Sequence, residues 1–349
     1  MNAPARWFRF GRRAPAVATA PLRNDVLNSA TWATAQDLIE LQRHAGKIGL
    51  THAGPARARL AGDHLSRFRG RGMDYQESRG YQAGDDIRSM DWRVTARTGN
   101  PHVKVYQEER ERPVVVFVDL NPGMFFGTQG MLKSVLAARA AALIAWAALA
   151  RGDRVGAMLF NGEHSDLQPR GGKHGVLRLI RELVTHTDPR AAIDAPSHDG
   201  GLNAALGRLR RVARPGSLVV LISDFYGIDD ESARHLSWLR RHNDVVALQI
   251  VDAIEEAPPP SGRYGVVAAG RRGILDTGSS AARRAYSDYF GRHHEQVRAA
   301  MRRHAIPLLR LSTGGDLVAA LRWHFAAAEP TSVGRAAAPN LHLDDRLAA

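Results

Sequence analysis

"VVVFVDL" (residues 114–120) is a continuous apolar run, rich in β-branched residues, that closes on an acid, Asp119, and a leucine. A half-exposed strand would alternate apolar and polar positions, so a short unbroken run suits a strand covered on both faces. The same pattern returns in "RVGAMLF" (154–160), "SLVVLISDF" (217–225), "DVVALQIVD" (244–252) and "IPLLRLS" (306–312). Helical patterns lie between and after these runs, at 131–150, 174–186, 202–213, 232–242, 286–304 and 316–325. Strand and helix in alternation predict an α/β fold, a doubly wound and mostly parallel sheet. After the fourth strand, "EEAPPPSGRYGVVAAGRRGILDTGSS" holds too much Pro and Gly for a helix, and "YGVVAAGRRGILDT" predicts a hairpin inserted at about 255–278.

Working outward, the segment before the sheet has another character. Residues 1–30 are basic, rich in Ala and Pro, and without a period, which predicts a flexible arm. "TAQDLIELQRHAGKI" sets Leu38, Leu41, Ala45 and Ile48 on one helical face. From residue 54 to about 112, glycines and charges break every pattern except the strand "HVKVYQ". Residues 31–112 are therefore expected to form a helix and a small irregular, charged module, with the α/β domain at 113–325 and a disordered tail at 326–349.

Composition narrows the function classes. A chain of 349 residues with 44% hydrophobic and 24% charged residues can bury a sizeable core. It has no cysteine, so disulfides, thiolate metal sites and cysteine nucleophiles are excluded, and the expected compartment is the cytoplasm. The basic N-terminus lacks the apolar core of a signal peptide. "VLAARAAALIAWAALA" (135–150) carries Arg139 and falls short of the roughly 20 residues of a spanning helix, so it reads as a buried helix and no transmembrane segment is expected. The net charge of +13 would suit nucleic acid or an anionic surface. The arginines are scattered and travel with alanine, with no basic stripe interleaved with aromatics, so nucleic acid is set aside as the main partner.

Two acids stand at strand ends, Asp119 and Asp224. In open parallel sheets functional groups gather there, and paired carboxylates can share a divalent cation. Either acid alone serves equally well as a turn former or helix cap. "VVVFVDLNPGMFFGT", the Ala-rich helix after it, "GDRVGAMLF" and "LISDF" resemble a von Willebrand factor A domain. That resemblance implies a metal-ion-dependent adhesion site built from Asp-x-Ser-x-Ser, a later Thr and a further Asp. Here Asp119 matches the leading acid, but Asn121 and Gly123 stand at the serine positions, and "HDGGLNAAL" offers Gly200 or Gly201 near the threonine. Asp119, Asn121 and Asp224 would make a degenerate site, with weak Mg²⁺ or Mn²⁺ binding at most.

"GRGMDYQESRGYQAGDDIRSMDWRVTARTGNPHVKVYQEERERPVVVFVDL" (70–120) is more specific. It resembles the domain-of-unknown-function 58 family, whose bacterial members carry a von Willebrand A-like domain and are often encoded beside MoxR-type AAA+ ATPases. The resemblance runs from about Gly62 to Arg322 and implies an adaptor that partners such an ATPase in remodelling an unknown client. Within it, Asp85, Asp86, Arg88, Asp91, Arg93 and Arg97 are spaced to form bidentate Asp–Arg pairs that tie down a loop. Trp92 is expected to anchor that loop on an apolar surface. This structural role is placed ahead of direct binding. No catalytic constellation is found: His102, His164 and His174 lack metal-ligand spacing, and no glycine-rich stretch is followed by Gly-Lys-Ser/Thr. The expected function is non-enzymatic. The alternatives are a nucleic-acid or anionic-surface binder acting through the basic arm, and a metal-dependent enzyme centred on Asp119 and Asp224.

Overall fold

The structure is a computed structural model that describes residues 8–9, 30–50, 73–82, 85–108, 112–161, 164–190, 201–268 and 271–326. Its first elements are β1 (Phe8–Arg9) and α1 (Ala35–Glu40), the latter capped by the Thr34 hydroxyl and tightening into a 3-10 turn at Leu41–Lys47. β2 (Met73–Gly80) follows, then α2 (Trp92–Thr98) and β3 (His102–Glu108), which pairs antiparallel with β2. α2 ends on Gly99 at φ 73°, a left-handed cap that glycine adopts without steric cost. So the stretch in which only "HVKVYQ" reads as a strand holds a paired strand and a helix as well.

The α/β domain runs through β4 (Pro113–Asp119), α3 (Lys133–Ala150), β5 (Arg154–Phe160), β6 (His164–Arg170), α4 (Gly172–His186) and α5 (Gly201–Val212). It continues through β7 (Leu218–Ser223), α6 (Asp230–His242), β8 (Asp244–Val251) and the short α7 (Ala253–Glu256). The inserted hairpin is β9 (Arg263–Ala268) with β10 (Arg271–Asp276), and α8 (Ser280–Arg303), β11 (Leu308–Ser312) and α9 (Leu317–Ala326) complete the domain. Phe8 and Arg9, within the expected flexible arm, pair antiparallel with Leu275 and Ile274 of β10. The rest of that arm and the expected tail lie outside the described residues, apart from Ala30 and Ala326 at their ends.

Across the six-stranded sheet the order is β6-β5-β4-β7-β8-β11, with every pair parallel except β5 and β6. Numbered within the sheet this is 3-2-1-4-5-6, the doubly wound order whose direction reverses between β4 and β7. β6 is absent from the sequence expectation because it is an edge strand: Leu167 alone is buried, and Pro169 is tolerated there. The apolar run of β4 divides by the two-residue period of a strand. Val114, Val116 and Val118 face α3, α4 and α9, whereas Val115 and Phe117 face α5, α6 and α8.

α3 is buried from Lys133 to Ala148 except at Arg139, as expected for a helix that is apolar all round. It alone among the described helices is long and apolar enough to cross a membrane, and here it fills the core. Its outer side is covered by Ala33, Leu38, Ala45, Ile48 and Leu50. The Trp146 indole N–H donates to Leu38 O at 2.9 Å and that of Trp32 to Val184 O at 2.7 Å, fixing the segment in place. Residues 30–50 thus belong to the core of the α/β domain, a correction to the boundary that grouped them with the charged module.

Candidate functional site

β4 and β7 lie side by side, so their carboxyl ends put Asp119 next to Ser223 and Asp224 at the reversal point of the sheet. Asp119 is 1% exposed. Its Oδ2 accepts from the Ser223 hydroxyl at 2.6 Å and its Oδ1 from the Asn121 N–H at 3.0 Å. After Asp224 the chain turns through Phe225 at φ 59°, a left-handed conformation rare for a bulky residue. The Phe225 N–H donates to Ser223 Oγ, and the Tyr226 N–H to Asp224 Oδ1 at 3.2 Å, which hold the turn closed.

The other oxygen of Asp224 receives Lys133. The Lys133 Nζ donates to Asp224 Oδ2 at 2.9 Å and to Glu255 Oε1 at 3.0 Å, and all three groups are buried. Lys133 opens α3, where no side chain caps the helix. A cation at a helix N-terminus has the wrong sign for the macrodipole, so its charge needs carboxylates nearby. Glu255 in turn accepts the Asp252 N–H at 2.9 Å in the capping box of α7. Asp252 accepts from the Thr128 N–H at 2.8 Å, from the Thr128 hydroxyl, and from the Thr313 hydroxyl at 2.7 Å. Two α8 histidines close the network: His293 Nε2 lies 2.9 Å from Asp224 O, and His294 Nε2 3.1 Å from Glu255 O. The Tyr226 ring stacks on His293 at 3.9 Å and lies 5.6 Å from the Lys133 Nζ.

The electrostatics follow from burial and pairing. Burial first, and the Asp224 charge second, push Asp119 up to about 7. Burial opposes the Lys133 ammonium, but Asp224 and then Glu255 outweigh it and hold the pKa above the ordinary lysine value. Glu255 is raised by burial against the pull of Lys133. Burial would also raise Asp252, yet its bonds to Thr128 and Thr313 leave it lowered. Burial pulls His294 down to about 4 and lowers His293 as well, so both are neutral near pH 7.

Asp119 and Asp224 do come together, but the donor set does not suit a divalent cation. The Asp224 oxygen on the Lys133 side is engaged by an ammonium, and Gly123 and Gly201 supply no hydroxyls. A Cβ at Gly123 would sit 3.3 Å from that same Oδ2, and one at Gly201 3.7 Å from the Asn121 Nδ2. Asn121 contributes its backbone N–H to Asp119. Among the described residues no three His, Cys, Asp or Glu side chains are placed to hold a metal. Sequence reasoning missed Lys133 and Glu255, which are 122 residues apart. The one local signal was a lysine at the start of an otherwise apolar helix.

The charged module departs from its expected pairing. Asp85 takes a bidentate pair from Arg79, at 2.9 and 2.7 Å, and the Gln82 N–H, which together hold its carboxyl below the usual range. Asp86 accepts the Arg88 N–H. Asp91 caps α2 through the N–H groups of Arg93 and Val94 and accepts the Ser78 hydroxyl at 2.7 Å, the last being the main reason its pKa is lowered. Asp86 and Asp91 act as caps, because an aspartate next to a helix start reaches the backbone more easily than a neighbouring arginine. Asp85 does form a bidentate pair, with Arg79 rather than with Arg88, Arg93 or Arg97. Arg88, Arg93 and Arg97 are exposed. Trp92, the first residue of α2, is 66% exposed, so it does not anchor the loop.

A family model described as "Protein of unknown function DUF58" matches residues 77–296. The chain is 32% identical over 327 residues to "Uncharacterized protein Rv1480" of Mycobacterium tuberculosis and to "Uncharacterized protein Mb1516" of Mycobacterium bovis, covering 88% of this chain and 93% of each relative. Among solved structures it is similar to the conserved hypothetical protein BatB from Bacteroides thetaiotaomicron, at 12% identity and TM-score 0.37, over 62% of this chain and 98% of that one. It is also similar to a von Willebrand factor type A structure from Catenulispora acidiphila, at 12% identity and TM-score 0.36, over 65% and 44% of the two chains. With the family model running from β2 into α8 and relatives aligned along nearly its whole length, the chain belongs to the DUF58 family.

Proposed function

We propose that this protein is a non-enzymatic, cytoplasmic adaptor of von Willebrand A type whose adhesion crevice works without a metal, the Lys133 ammonium standing where a divalent cation would stand. The observation that carries this reading is the Lys133 Nζ held between Asp224 and Glu255. A fixed internal cation offsets part of the negative charge of Asp224 and Glu255, so partner capture does not wait on a cation or on a carboxylate from the partner. The partner proposed is a MoxR-type AAA+ ATPase, on the strength of the sequence resemblance, with the client supplied by that machine.

Calorimetric titration with Mg²⁺ and Mn²⁺ tests the crevice. The wild type is expected to give no heat up to millimolar ion, and Lys133→Ala to gain divalent binding that a second change, Asp119→Ala, removes. Micromolar binding by the wild type would overturn the reading. Co-purification with a MoxR-type ATPase encoded in the same genome, read out with its ATP hydrolysis rate, tests the partnership. An ATPase that neither binds nor changes rate would remove it and leave the crevice reading standing.

A further inference from the structure

The charged module presents a surface that its own folding does not explain. Around an α-helix each residue advances about 100°. Starting from Trp92, Ala96, Arg93 and Arg97 therefore fall within one arc of about 140°, while Val94 and Thr95 lie on the opposite side. Up to Arg97 burial follows the same division: Val94 and Thr95 are half-buried, and Trp92, Arg93, Ala96 and Arg97 are exposed, as is Thr98 at the helix end. Just before the helix, Ile87 is 62% exposed and Arg88 is exposed. Tyr81, whose N–H donates to Pro101 O at the far end of the α2–β3 turn, is exposed as well. Two large apolar side chains, Ile87 and Trp92, are thus left bare within six residues of an otherwise charged segment.

The charges around them say what the surface fits. The described acids of residues 85–91 are each engaged: Asp85 by Arg79 and the Gln82 N–H, the exposed Asp86 by the Arg88 N–H, and the buried Asp91 by Ser78 and the start of α2. Among the described residues no ion pair joins these aspartates to Arg88, Arg93 or Arg97; their bonds go to Arg79, Ser78 and backbone N–H groups. What remains outward is three guanidinium groups around Trp92 and Ile87.

We propose that this face docks an acidic segment of a partner protein that carries an apolar side chain, the apolar group packing on Trp92 and Ile87 and the carboxylates forking onto Arg88, Arg93 and Arg97. Arginine suits this role because its planar fork binds carboxylates bidentately, and Trp and Arg are both among the residues enriched at interface hot spots. A single-stranded nucleic acid would need a row of aromatic platforms for successive bases. Here the exposed aromatics described in the module are Trp92 and Tyr81, two rings rather than a row, and Ile87 offers no ring face. The inference goes beyond the crevice reading: it concerns another part of the molecule and holds whether or not the partner is an AAA+ ATPase.

The test is a display selection of random dodecapeptides on the full-length chain, with selected peptides then labelled and titrated by fluorescence anisotropy. The expected result is enrichment of Asp and Glu around Leu, Phe or Trp, with affinity falling at least about tenfold in Trp92→Ala and in the double variant Arg93→Glu, Arg97→Glu. It should be unchanged in Trp323→Ala, which removes a comparably exposed tryptophan from α9, 51% exposed. Replacing the peptide carboxylates with amides should cost as much as the arginine reversals. Selected peptides without acidic enrichment, or equal binding by the Trp92 and arginine variants, would overturn the proposal. So would labelled oligothymidylate binding that those same variants abolish while acidic peptides fail to bind. All the altered side chains are exposed, and matching circular dichroism spectra confirm that a lost signal is not lost folding.

Discussion

Taking an ammonium out of water costs several kcal/mol, and Lys133 recovers that only because two carboxylates and the Tyr226 ring face it. Lys133→Met would strand Asp224 and Glu255, and urea unfolding should show a loss of about 3–5 kcal/mol. The buried acid and the buried histidine give the crevice opposite pH dependences. Asp119 binds its proton up to about pH 7 when folded but only to about pH 4 when unfolded, so its contribution falls as pH rises through that window. His294 is neutral above about pH 4 when folded but protonates near 6.5 when unfolded, so stability is lost as pH falls from 6.5 towards 4. The two slopes oppose each other in the wild type and separate in variants. Relative to wild type, Asp119→Asn should gain stability as pH rises from 4 to 7, whereas His294→Gln should gain it as pH falls from 6.5 to 4. Denaturant melts across that range read both.

At the scale of single elements, α6 and β5 depend on features that substitution can isolate. Asp229 caps α6, accepting the Glu231 and Ser232 N–H groups at 2.9 Å each and the Asn203 amide besides. Asp229→Ala should cost about 1–2 kcal/mol, read as a lower Tm without change of fold. β5 meets the edge strand β6 across an irregular register at Val155–Ala157, and Gly156 lies at that step. A Cβ there would stand 2.7 Å from Leu167 O and 2.8 Å from Pro169, so Gly156→Ala forces backbone apart and should destabilise by about 1–3 kcal/mol.

For the whole molecule, the segment around α1 completes the core. Without it the outer side of α3 would be bare, together with Trp146, whose indole N–H would lose Leu38 O. A chain begun after Leu50 should therefore bind a hydrophobic dye and lose its cooperative thermal transition, although the α/β sheet itself is untouched. The six-stranded sheet also explains why Asp119 and Asp224 meet where they do. Its order reverses between β4 and β7, so the chain leaves those two strand ends towards opposite faces of the sheet and the two acids lie side by side there.

The sequence by itself determined the alternation of strand and helix, the inserted hairpin and the pair Asp119 and Asp224, because apolar period and strand-end position are written in consecutive residues. β6 escaped because an edge strand carries little apolar signal. Tertiary structure alone decided that Lys133 and Glu255 meet Asp224, since a long side chain at a helix start could have turned to solvent. It also decided that residues 30–50 cover α3 and that Trp92 stays outside. Which surface covers a side chain depends on elements far away in the chain, and local pattern holds no record of them.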